Sequence, residues 1–249
     1  MKFTRGDTVV AFEKLWFLQK RHAGRYASLP SQNTPLNSSH DLEELAVKPM
    51  VEILGGRVKG ENLSFYNSIP EGQSRHEYVR SILMADAQNY SNPSDFINRN
   101  IYFFVSPSAK SLMDTMPTLK LHNVPSTISH DVNENTLLDM IEEQIVSLPI
   151  EEWNTKELKD RIGNILDGEH NISLEEAVDA GDEINEEFSP RVSKAWSKVI
   201  HHYLRWAISA GKPGPDGAET MRILGRQETI VRLQTARVVM EGSWQVAEQ

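Results

Sequence analysis

The sequence predicts an all-α protein, and three observations carry that expectation. Ser, Asn or Asp stands three residues before Glu at the head of several apolar-periodic runs, the spacing of a helix-capping box. Apolar residues recur at intervals of three and four rather than two, which puts them on one face of a helix. No pair of alternating runs flanks a hairpin turn, so a sheet would have nothing to pair. At 249 residues the chain can bury roughly 70% of its unfolded surface, enough for one large core or two small ones.

The first periodic segment runs from Thr8 to about Tyr26, with Asp7 placed to cap its orphan amides. Pro30 to Ser39 is a polar linker, and Ser39 or Asp41 opens a second helix that reaches about Leu54 before Gly55 and Gly56. Ser74 and Glu77 have capping-box spacing and start a third helix through about Gln88. Pro93 to Asn98 reads as a short helix. The run Ile101, Tyr102, Phe103, Phe104, Val105 is strand-like in composition but has no partner strand. It is therefore expected as an extended apolar anchor, with its three aromatic rings buried between helices.

The second half is more regular. Glu134 to Val146 is helical, and Asn154 with Glu157 caps a helix from Asn154 to Ile165. Ser173 and Glu176 repeat the signal ahead of an acidic helix expected to end near Phe188. Ser189 then supplies a capping hydroxyl and Pro190 a first helical residue whose missing N–H costs nothing. That helix should run to about Ala210, stop at Gly211 and be followed by a rigid turn at Pro213, Gly214 and Pro215. Asp216 and Glu219 cap a short helix that Gly225 ends, and Arg226 to Met240 forms the last. At least eight helices are expected in all. The polar segment 117–133 is the expected boundary, dividing the chain into residues 1–120 and 121–249.

Charge is unevenly placed. Residues 131–187 hold 18 acidic and 3 basic side chains, whereas residues 191–249 hold nine basic and five acidic. A pI near 5.4 argues against indiscriminate DNA binding, yet leaves room for a local basic surface that meets phosphates. The absence of cysteine excludes a disulfide scaffold, a thiol nucleophile, an iron–sulfur cluster and a thiolate zinc site. No apolar run approaches the roughly 20 residues of a membrane span, so no membrane partner is expected. The N-terminal residues lack the pattern of a secretory signal and show no clear transit peptide.

The segment 190–210 has two faces. Val192, Trp196, Val199, Ile200, Tyr203, Leu204 and Ala207 should face a core. Arg191, Lys194, Lys198 and Arg205 recur at offsets of three, four and seven, with His201 or His202 filling the gap. Such a stripe either follows a phosphate backbone or is an ordinary solvated face. Trp153 and Trp196 sit in amphipathic patterns and read as core, as does Trp16, whereas Trp206, next to Arg205, is expected to be more open to stacking. The eight histidines show no metal spacing, and no phosphate-loop, dinucleotide or hydrolase motif occurs. Neither catalytic nor metal-binding residues are expected.

The run 202–233, HYLRWAISAGKPGPDGAETMRILGRQETIVRL, resembles the terminal signature of bacterial-type and mitochondrial glutamyl-tRNA synthetases. Its parts are Arg205 within an apolar helix, the turn from Gly211 to Pro215, and Leu224, Gly225, Arg226 and Glu228 followed by Arg232 and Leu233. The run 12–26, FEKLWFLQKRHAGRY, is similar to the helix by which those enzymes enter their stem, in wording nearest to fungal mitochondrial members. Residues 79–104, VRSILMADAQNYSNPSDFINRNIYFF, resemble the passage from stem to anticodon-binding helices.

The resemblance implies a helical stem followed by an anticodon-binding bundle, with tRNA, specifically tRNA-Glu, as partner. The basic stripe and the terminal motif together make Arg191, Lys194, Lys198, His202, Arg205 and Arg226 the expected tRNA contacts, with Arg222 and Arg232 secondary. Arg205 could instead tie two helices together, and Arg226 could pair with Glu228 and pin the final helix. The family's catalytic half carries His-x-Gly-His and Lys-Met-Ser-Lys signatures that handle ATP, and neither occurs here. By itself the chain is thus expected not to charge tRNA and to need no cofactor, since ATP and glutamate belong to the missing domain. A mitochondrial location follows from the resemblance alone. The alternatives are an interaction or regulatory subunit that partners a separate catalytic synthetase chain, and a fragment of a full-length synthetase.

Overall fold

The computed structural model describes residues 51, 69–70, 72–86, 99–125, 128–179 and 188–247. The expected helices at Thr8 to Tyr26 and Pro93 to Asn98, the linker at Pro30 to Ser39 and the ring of Trp16 lie outside them, as does the second helix except for Val51, which is helical. Six α-helices and three short helical turns make up the described secondary structure, with no β-strand among these residues. The chain divides into two compact units, Met1–Ser106 and Pro107–Gln249.

The first unit is described around helix α1, Arg75–Asp86. Its capping box forms in both directions: the Glu77 amide donates to Ser74 Oγ at 3.2 Å and the Ser74 amide to Glu77 Oε2 at 2.9 Å. The Ser74 amide, together with the Ser74 hydroxyl that donates to the same oxygen at 2.7 Å, holds the Glu77 carboxyl below its ordinary value. Tyr78, Val79, Ile82 and Leu83 form the buried stripe of α1. Tyr78 donates its hydroxyl to the Phe103 carbonyl at 2.6 Å and meets Phe104 edge-on. Tyr102, Phe103 and Phe104 are all buried, as expected.

The anchor is not extended, however. Ile101–Phe103 is a 3₁₀ turn in which the Phe103 amide donates to Asn100 O and the Phe104 amide to Ile101 O. A buried run without a partner strand must satisfy its amides locally, and a tight turn does so while still burying the rings.

In the second unit, Ser108 caps α2, Ala109–Asp114, and a long loop leads to α3, Glu134–Ile141, which Asn133 caps. A single antiparallel bridge, Lys120 to Asp131, closes that loop. Helix α3 widens into a π-helical turn at Glu142–Val146, and a 3₁₀ turn at Ile150–Glu152 leads into α4, Thr155–Asp179. Asn154 caps α4 by accepting from the Lys156 and Glu157 amides, each at 3.1 Å. Helix α5, Phe188–Ser209, and helix α6, Gly217–Ala247, complete the bundle, with α5 packed on both α4 and α6.

Two expectations along α4 and α5 fail for one reason. Ser173 and Glu176 do not start a helix, because the backbone before them is already helical and α4 continues to Asp179. Ser173 is instead buried and accepts from Trp196 Nε1 at 2.8 Å, a tertiary role that its spacing does not announce. Likewise Phe188 and Ser189 already belong to α5, so Ser189 is a helical residue rather than its cap, and its Oγ lies 3.1 Å from His170 Nε2 on α4.

The end of α5 and the break in α6 follow the expected turn chemistry. Ala210 and Gly211 take positive φ values of 51° and 77° and stop α5. Asp216 accepts from the Glu219 amide at 2.8 Å, capping α6. Gly225, at φ 77° and ψ 165°, interrupts α6, a conformation that a Cβ would disfavour.

Candidate nucleic-acid interface

Helix α5 carries the expected two faces. All seven residues assigned to its core are buried, and Arg191, Lys194, Lys198, His201 and His202 are exposed. The apolar face is held by α4 and α6, so the cations on the other flank are displayed on a rigid rod. Arg191 also donates to the Asn123 carbonyl at 3.3 Å, which ties the start of the stripe to the loop before α3.

Of the remaining four candidates, Arg205, Arg226 and Arg232 have their guanidinium groups turned to the fold. Arg205 is half-buried and donates to the Pro215 carbonyl at 2.7 Å, clamping the turn that ends α5. Arg222 pairs through two bonds with Glu219. Arg226 donates from Nε to Leu148 O at 2.7 Å and from Nη2 to Val146 O at 2.8 Å, capping the carbonyl end of the π-helical turn. Arg232, only 2% exposed, bonds to Glu228 and to the Ile208 carbonyl. In Arg205, Arg226 and Arg232 the guanidinium that could match a base edge grips backbone carbonyls instead.

Trp206 is a correction of another kind. It is fully buried and donates from Nε1 to the Leu112 carbonyl at 2.9 Å, so it offers no face for stacking. Its neighbour Arg205 made it look open, but on a helix adjacent residues point 100° apart. Trp153, half-buried, donates to Met221 O at 3.2 Å.

A cleft of about 390 Å³ lies between α4, α5 and the start of α6. Ile162, Leu166 and Ile200 form its apolar wall, and Lys159, Ser197 and His201 supply polar groups. Lys159 Nζ and Asp216 Oδ2 approach to 3.2 Å at the cleft. Burial pushes the Asp216 carboxyl up, but the Glu219 amide and Lys159 outweigh it and hold the group below its ordinary value. The expectation missed this cleft because it joins three helices. The available signal was Ser197 and His201, one turn apart beside Lys194 and Lys198.

Among the described residues no cluster of histidine and acidic side chains could hold a metal ion, and no helix is long and apolar enough to cross a membrane.

Residues 195–237 match the family model described as anticodon binding domain. That segment holds most of α5, the turn after it and α6 past its break, so Lys198, His201 and His202 of the stripe lie inside it. Two solved structures are similar in outline. A glutamate tRNA ligase from Elizabethkingia meningosepticum, in complex with its amino acid, has 15% identity and a TM-score of 0.42. The match covers 80% of this chain and 32% of that one. A glutamate-tRNA synthetase from Elizabethkingia anophelis has 13% identity, a TM-score of 0.40, and coverage of 80% and 31%. The chain thus spans about a third of the length of these structures. No curated protein matches it.

Proposed function

We propose that this chain is a tRNA-recognition module that reads the anticodon region of tRNA-Glu as part of a glutamyl-tRNA synthetase. One observation carries the reading: an anticodon-binding segment displays a rigid exposed stripe of cations beside a cleft with an apolar wall and polar rim. Arg191, Lys194, Lys198 and His202 hold the phosphate backbone, and a splayed base enters the cleft, because single-stranded RNA is read by unstacked bases. Arg205, Arg222, Arg226 and Arg232 serve the same site by fixing the turn, the α6 break and the helices behind it. Aminoacylation belongs to a catalytic domain or chain with which this module works. A mitochondrial setting is part of the same proposal, supported by the resemblance of residues 12–26.

The test is a titration with tRNA at two salt concentrations. Reversing charge at Lys194 and Lys198 should weaken binding with little change in melting temperature, and each lost phosphate contact should lower the salt slope by about 0.7–0.9. Unchanged affinity in the double reversal would instead assign the chain to protein interaction.

A further inference from the structure

We propose that Gly163 is a recognition residue: its missing side chain leaves bare α4 backbone at the cleft, against which an unstacked RNA base lies flat. This rests on the RNA-binding reading above and adds the surface that receives the base. Gly163 stands well inside α4, where glycine weakens a helix more than any residue but proline. Neither packing nor backbone conformation accounts for it. A Cβ at Gly163 would meet no atom within 4 Å, and the residue has no positive φ. Gly168, further along α4, differs in that a Cβ there would meet the flexible end of the Met140 side chain on α3, which must move aside. The space kept open at Gly163 is the cleft itself.

The surroundings select the ligand. Half-buried Leu166, with Ile162 and Ile200 behind it, offers apolar contact to a ring, while Ser197, His201 and the Lys159–Asp216 pair offer donors and an acceptor to its edge. Gly217, across the cleft at the start of α6, also has open space where a Cβ would stand. A simple anion would face the Asp216 carboxylate, and an aliphatic chain would leave the polar rim unserved. A planar ring with polar edges satisfies both, and the Lys194 and Lys198 stripe lies along the same flank of α5 to hold its phosphates.

The experiment uses the full chain, a tRNA-Glu transcript, and copies of that transcript made abasic at each anticodon-loop nucleotide in turn. Gly163→Ala should raise the melting temperature by roughly 2–4 °C, as a helix-interior alanine does. It should also weaken transcript binding by about ten-fold, the scale of one lost base contact. Asn164→Ala, on the exposed side of α4, should leave affinity unchanged. One abasic position should cost the unsubstituted chain a similar factor and cost Gly163→Ala nothing further, since both remove the same contact. Unchanged affinity in Gly163→Ala, or losses that add at every position, would overturn the proposal. A lower melting temperature together with weaker binding would also overturn it and assign Gly163 to packing. If the unsubstituted chain fails to bind the transcript, the RNA-binding reading itself falls.

Discussion

At the scale of single residues, buried polar groups set the main sensitivities. Glu169 on α4 is 4% exposed and its Oε1 has no hydrogen-bond partner. Burial, with a contribution from Glu176, pushes its carboxyl up to about 7. A raised acid favours the protonated form in the fold, so its stabilising share is complete below about pH 4.5 and is lost as pH rises through 7. Glu169→Gln should remove that fall, worth about 3 kcal/mol at most, and melting curves from pH 5 to 8 would reveal it. Asp216 and Glu219 act with the opposite sign. Both are held below their ordinary values, Glu219 chiefly by Arg222, so their share is lost as pH falls below the ordinary carboxylate range. Arg226→Lys should lower the melting temperature, because lysine lacks the planar fork whose Nε and Nη2 reach the Leu148 and Val146 carbonyls separately. Competition among tRNAs changed at single anticodon positions should show the same base preference as before; altered preference would place the side chain in recognition.

At the scale of elements, α5 joins fold and site. Its buried face includes Trp196 and Trp206, each with its indole N–H bonded, so truncating either to alanine removes packing and strands an acceptor. Each change should cost about 3–5 kcal/mol, measurable by denaturant unfolding. The Arg237 group offers a contrast. Its guanidinium on α6 reaches Asp139, Glu142 and Glu241 at 2.7–2.9 Å, joining α6 to α3 and its π-helical continuation. These carboxylates are 47–67% exposed, so Arg237→Ala should cost only about 1 kcal/mol and less in high salt. A much larger loss would mean that the group is shielded from solvent.

At the scale of the whole molecule, residues 131–187 carry an acidic surplus and residues 191–249 a basic one, so an anionic ligand is repelled by the first stretch and attracted by the second. Purified chain should show no ATP–pyrophosphate exchange with glutamate, since the two ATP signatures are missing from its sequence. Exchange above background that is lost on mutation within the chain would contradict this.

The sequence by itself determined the helical class, the caps at Ser74, Asn154 and Asp216, the stops at Gly211 and Gly225, and the two faces of α5. Each depends on residues within a turn or two of one another, so local spacing is enough to specify it. The exposed side chains Arg191, Lys194, Lys198 and His202 were legible for the same reason. Only the tertiary structure decided that the aromatic anchor is a turn, that Ser173 serves Trp196, that Trp206 is sealed against Leu112, and that Arg226 grips carbonyls 78 and 80 residues away. It also decided that Lys159, Gly163, His201 and Gly217 share one cleft. A buried polar group bonds to whatever the fold brings within about 3 Å, and that partner leaves no periodicity in the sequence around it.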